Sequence, residues 1–155
     1  MKRFFFVAAL ILITLTTGCS MSLEDVKNVP VFTKTYYVVF EDKPEIVNEG
    51  VFANNFEIGR ISSQKPGSED MVIVTMSVQN ENNHLMTDNV IFYVSDGRLT
   101  YDTVGDSGNP LQEGAKILGF TGKTGLYWFK TKNKIKNISG AAIDKAQELY
   151  DRAVK

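Results

Sequence analysis

Residues 50–61 constrain this 155-residue chain more than any other stretch. They read Gly50-Val51-Phe52-Ala53-Asn54-Asn55-Phe56-Glu57-Ile58-Gly59-Arg60-Ile61, two short apolar runs around an Asn-Asn pair. Asparagine adopts positive φ at less cost than most residues, so the pair predicts a tight turn between two strands. Gly59 inside the second run predicts a bulge or the close approach of another backbone. An isolated hairpin is marginal in water, so this one belongs in a small barrel or sandwich.

Further strands follow the same logic. Residues 71–79 alternate, with Val72, Val74, Met76 and Val78 on one side and Thr75, Ser77 and Gln79 on the other, as in a half-buried strand. Asn80-Glu81-Asn82-Asn83 is a polar turn. Residues 89–95 form a strand rich in β-branched and aromatic side chains. Asp96-Gly97 is a hairpin signal, and residues 99–104 return. Gly105-Asp106-Ser107-Gly108-Asn109-Pro110 is a loop. Short strands with regular turns predict an all-β barrel or sandwich. The length is a prior for one domain, and 43% hydrophobic with 23% charged residues is ordinary for a globular chain.

The N-terminus departs from this pattern. Lys2-Arg3 precedes an apolar run from Phe4 to Ile13, and Thr16-Thr17-Gly18-Cys19-Ser20 closes it. Basic, apolar, then small residues is the layout of a secretory signal, and the apolar core is shorter than the ~20 residues a spanning helix needs. Cys19 is the sole cysteine, so no intrachain disulfide can form. Gly18-Cys19 resembles a bacterial lipobox, with Leu15 one place further back than usual. The resemblance implies cleavage, lipidation of Cys19 and a firm tether, because two or more acyl chains anchor stably. A plain cleaved signal, or an uncleaved anchor over residues 4–23, fits the same composition. Ser20 favours the outer membrane over the inner by the sorting rule of Gram-negative lipoproteins. Loss of Lys2 and Arg3 would take the net charge from -1 to -3, which gives no support for nucleic-acid binding.

The strand segments are similar to the MCE (mammalian cell entry) domain of MlaD-like lipid-transport proteins. That family shows an extended strand, an acidic residue, an apolar hairpin with a turn glycine, then a Val-Gly-x-Val step. Tyr36-Tyr37-Val38-Val39-Phe40-Glu41 matches the strand, Val51-Phe52 the first arm and Ile58-Gly59-Arg60-Ile61 the closing step. Asn55 stands where the family has glycine. Leu111-Gln112-Glu113-Gly114-Ala115-Lys116-Ile117 resembles the last barrel segment.

The resemblance implies a small seven-stranded MCE-type β-barrel over residues 35–118. Around it would lie a signal at 1–18, a lipid-anchored linker at 19–34, a connector at 119–138 and a C-terminal amphipathic helix at 139–155. It also implies a homohexameric ring facing the periplasm, with an apolar pore for phospholipid, served by ABC permease and ATPase subunits. The pore hairpin of the family carries two leucines and a glycine. Here Asp96-Gly97-Arg98-Leu99 occupies that place, with Leu99 its sole apolar residue, so Gly97, Arg98 and Leu99 are the candidate pore residues, with Arg98 suited to lipid phosphates; a plain solvated hairpin tip is the alternative.

The remaining segments are read from their residues. Gly122-Lys123-Thr124 is not a P-loop, because Ile117 stands where the leading glycine is required. Leu126-Tyr127-Trp128-Phe129 is a compact apolar patch, suited to packing on the barrel or on a neighbouring subunit, with direct lipid contact as the alternative. Lys130, Lys132, Lys134 and Lys136 alternate, as on a solvated strand edge or linker; attraction to anionic headgroups or an acidic partner is the alternative. Ser139 can cap a terminal helix whose Ala142, Ile143, Ala146, Leu149, Tyr150 and Ala153 share one face. Of these, Ile143, Ala146, Leu149 and Tyr150 are the candidate packing or channel residues. A helix this short needs a partner, either its own barrel or, as in MlaD-like rings, its copies. No catalytic motif is present and no cofactor is implied. The expected function is lipid binding and transport in the cell envelope; the alternative is a structural adaptor lipoprotein that carries no lipid.

Overall fold

The computed structural model describes residues 33–132 and 138–155. Cys19, the signal or anchor segment and the linker up to residue 32 lie outside the described residues, as do Lys134 and Lys136. Seven strands appear in order: β1 (Thr33–Phe40), β2 (Gly50–Ala53), β3 (Phe56–Pro66), β4 (Val72–Gln79), β5 (Val90–Ser95), β6 (Arg98–Thr103) and β7 (Lys116–Phe120). A short 3-10 helix (Asn80–Leu85) follows β4 where the polar turn is expected, and two helices close the chain, α1 (Lys123–Lys132) and α2 (Ile138–Ala153).

The strands form a closed barrel in the order β1-β4-β3-β2-β6-β5-β7. Pairing is mixed. The β1–β4, β3–β4, β2–β3 and β5–β6 contacts are antiparallel, whereas β1–β7, β2–β6 and β5–β7 are parallel. Closure gives each of the seven strands a neighbour on both sides. The seven-stranded β-barrel and the C-terminal helix expected from sequence are both present.

The hairpin at residues 50–61 forms as its residues dictate. Asn54 and Asn55 both take positive φ, 47° and 71°, which a two-residue type I′ turn requires. Val51 pairs with Gly59 but Phe52 pairs with Glu57, so Ile58 is the extra residue of a bulge. A Cβ on Gly59 would sit 2.2 Å from the Ser77 carbonyl oxygen of β4. The glycine thus serves the bulge and the close approach together.

The alternation in β4 places Val72, Val74, Met76 and Val78 inside the barrel. Tyr36, Val38, Phe40, Val51, Phe92 and Leu99 fill the same interior. A second apolar layer lies outside. Val39, Ile91 and Leu118 point outward from their strands and are covered by Leu126 of α1 and by Ala142, Ala146, Leu149 and Ala153 of α2.

Two segments differ from expectation. Gly119 and Phe120 belong to β7 and not to a connector; a Cβ on Gly119 would meet the Phe40 ring at 2.7 Å. Residues 123–132, expected to be connector, are helical. Lys130 and Lys132 sit in the last turn of α1 instead of on a strand edge. Their two-residue spacing is an accident of a helix whose register is set by Leu126 and Phe129 packing inward.

Within this single chain, α2 packs on its own barrel. The Tyr150 ring is tilted by 50° to the Tyr37 ring at 5.8 Å, and Lys116 Nζ lies 4.9 Å from the Tyr150 ring centre. Lys145 pairs with Glu41 at 3.1 Å, and Arg152 pairs with Glu69. At the C-terminal end, the Ser68 amide donates to the Ala153 carbonyl at 3.1 Å, and Gly67 leaves room for the Ala153 methyl.

Candidate functional site

The candidate pore hairpin is a tight β5–β6 turn. Asp96 and Gly97 take φ of 53° and 70°. The Gly97 carbonyl accepts hydrogen bonds from the Val47 and Asn48 amides at 2.9 and 3.0 Å, so the preceding loop is clamped to the tip. Within this turn the candidate residues part company. Leu99 is 0% exposed and faces the barrel interior, paired with Val51 on β2 and Val94 on β5. It is a core residue in this fold and does not project from the tip. Arg98 is exposed, with its guanidinium carbon 5.3 Å from the centre of the Phe52 ring.

The apolar group at the tip is one the sequence reading missed. Val47 is 89% exposed and lies against Gly97, where an added Cβ would meet its side chain at 3.2 Å. A lone valine in Glu45-Ile46-Val47-Asn48-Glu49 gives no periodic signal, and only the clamp to Gly97 brings it here. Beside the tip, Phe52, Asn54, Asn55, Arg98, Tyr101 and Lys123 line a shallow hollow of about 340 Å³. Burial, reinforced by the neighbouring Asp102 carboxylate, pushes the Tyr101 phenol above its ordinary range.

A second, more apolar site lies between the end of β7 and the two helices. Leu118, Gly119, Phe120, Trp128 and Phe129 line a cleft of about 530 Å³, with Glu41, Asp42, Lys132 and Lys145 also on its walls. That volume is in the range of small-molecule sites, ~300–1,000 Å³. The Phe120 and Phe129 rings are 5.4 Å apart and tilted, a favourable aromatic pair. Lys132 Nζ lies 5.3 Å over the Trp128 ring. The walls therefore combine an apolar lining with both signs of charge, which suits an amphiphile better than a purely polar ligand.

The α2 residues divide as a helix on a barrel should. Ala146 and Leu149 are fully buried, Tyr150 is half-buried and Ile143, at the margin of the stripe, is 37% exposed. These residues and the β5–β6 tip belong to different faces: α2 packs on β7, β1 and β4, while the tip meets the loop before β2.

No three His, Cys, Asp or Glu side chains among the described residues are grouped to hold a metal. His84 is used locally, its Nδ1 2.8 Å from the Glu81 carbonyl oxygen. No helix among the described residues is long and apolar enough to cross a membrane. No family model matches the chain, and no curated protein matches it.

Proposed function

We propose that this chain is an extracytoplasmic lipid-binding component of an MCE-type transport system, tethered at Cys19 and working as a homo-oligomeric ring with ABC permease and ATPase subunits. The observation that supports this reading most is the closed seven-stranded barrel carrying the Asn54-Asn55 turn and the Ile58-Gly59 bulge in the order the resemblance requires. The barrel interior is filled by side chains, so lipid has to travel outside it. With Leu99 turned inward, a ring built around the tip would present Val47, Gly97 and Arg98. The cleft beside Phe120, Trp128 and Phe129 is the other apolar surface able to cover a fatty chain, each CH₂ of which gains about 0.8 kcal/mol on burial. Mass spectrometry of organic extracts from the purified full chain tests the proposal. Phospholipid at a fixed ratio to protein is expected, and protein that emerges empty rejects it.

A second reading has its own support. Leu99 has no exposed surface, and the apolar stripe of α2 is already spent on its own barrel. Both facts weaken a ring channel and favour a structural adaptor lipoprotein of the envelope. Such an adaptor would carry no lipid in the same extraction.

A further inference from the structure

We propose that the outer face of α1 is a docking face for an anionic phospholipid bilayer. The helix is held to the barrel by one side only. Leu126 is buried beneath it, Phe129 packs on Phe120, and Lys130 reaches Asp102 at 2.9 Å. On the opposite side Tyr127 and Trp128 are 66% and 67% exposed, adjacent to each other. Thr124, Thr131 and Lys132 complete that surface, a shallow depression of about 510 Å³. Two large aromatic side chains left in water on one short helix are a cost with no return inside this fold.

Charge selects the occupant. The ten residues of α1 include three lysines and no carboxylate, in a chain whose 18 acidic residues slightly outnumber its 17 basic ones. Of the nearby carboxylates, Asp102 is held by Lys130 and Glu41 by Lys145; Asp42 shares the cleft wall with Trp128 and Lys132 but does not line the outer depression. Lys123 and Lys132 sit over the Tyr93 and Trp128 rings. Tyrosine and tryptophan settle at the headgroup level because each has an apolar body and a polar handle. Lysine stems can lie along apolar surface while the ammonium reaches the phosphates. A basic helix with this pairing fits an anionic lipid surface, and each lysine adds an attraction that salt screens. The proposal stands whether or not the barrel carries lipid, since a tethered adaptor would rest on the membrane by the same face.

Trp128 is the only tryptophan in the chain and borders both this face and the cleft, so intrinsic emission reads the two together, and Lys123, which does not line the cleft, tells them apart. The full chain is added to phosphatidylcholine vesicles and to vesicles in which part of the lipid is phosphatidylglycerol. The N-terminal segment carries Lys2 and Arg3 and has its own attraction to anionic lipid, which the lysine variants of α1 share with the unaltered chain, so their difference isolates α1. A shift of emission to shorter wavelength, with quenching by lipids brominated high in their chains, is expected in the anionic vesicles only. Lys123→Gln and Lys132→Gln should each lower the anionic response about fivefold, with thermal unfolding unchanged. Emission unmoved by either vesicle overturns the proposal, as does an equal response to both. Short-wavelength emission before lipid is added also overturns it, because a second copy or a protein partner would then cover Trp128. Co-purified lipid is measured separately, so failure here is distinguishable from failure of the transport reading.

Discussion

Val38 and Val39 are neighbours in β1, both without exposed surface, yet they belong to different cores. Val38 points into the barrel and is enclosed by strands on every side. Val39 points out and is covered only because α2 and the residues around it lie across the sheet. The inner core is a property of the closed barrel, while the outer layer depends on two helices that commit unequally. α2 buries Ala142, Ala146, Leu149 and Ala153; α1 buries Leu126 and leaves its aromatic pair outside. The difference separates residues that hold the fold from residues available to meet something else. Stability should therefore fall off from the inside outward, and surface behaviour should rise in the same direction.

The strongest test of that gradient is Leu99→Asp. An ionised carboxylate in the barrel interior has no partner there, and a loss of more than about 4 kcal/mol is expected, enough to abolish cooperative unfolding by circular dichroism. Leu99→Met should fold. A folded Leu99→Asp protein would place Leu99 back at an exposed tip and break the comparison. In the outer layer, Leu149→Ala should cost about 2–5 kcal/mol in denaturant unfolding. A value near zero would mean that α2 is not bound to its barrel and is available for self-association.

The inner core should also answer to alkali. Burial first, and the Glu113 carboxylate second, raise the Tyr36 phenol above its ordinary range. The unfolded chain then loses this proton more readily than the folded one. The stabilisation is complete below pH about 10 and is lost as pH rises through the folded value. Tyr36→Phe should flatten the fall in melting temperature above that pH; an unchanged slope would show that the phenol is not held protonated. The smallest effect belongs to the outermost residue. Trp128→Ala should change unfolding by no more than about 0.5 kcal/mol, while removing the response to anionic vesicles. A large loss of stability would move Trp128 into the structural layer.

Much of the barrel could be read from residues whose constraints are local. The Asn54-Asn55 turn, the Gly59 bulge, the Asp96-Gly97 turn and the alternation of β4 each depend on φ or on side-chain period alone. The orientation of Leu99 was also legible, although the loop resemblance pointed elsewhere. A two-residue turn pairs it with Val94, and residues opposite each other in an antiparallel ladder share a face. Val94 lies in register with Phe92 and Val90, which are core residues. By contrast, Lys123–Lys132 carries glycine, threonine and aromatic residues with weak helix propensity. Its helix exists because Leu126 and Phe129 find Ile91, Val104 and Phe120 on the barrel wall. The cleft and the position of Val47 were invisible for the same reason.

By itself the sequence determined the all-β class, the turns and the apolar stripe of α2, because these follow from backbone sterics and from periods of two and 3.6 residues. Tertiary structure alone decided which strands the stripe lies on within the chain, which way the candidate pore residues faced, and that Tyr127 and Trp128 were left in solvent. Those outcomes depend on contacts between residues far apart in the chain, where a local pattern can show that a surface must be covered without showing by what.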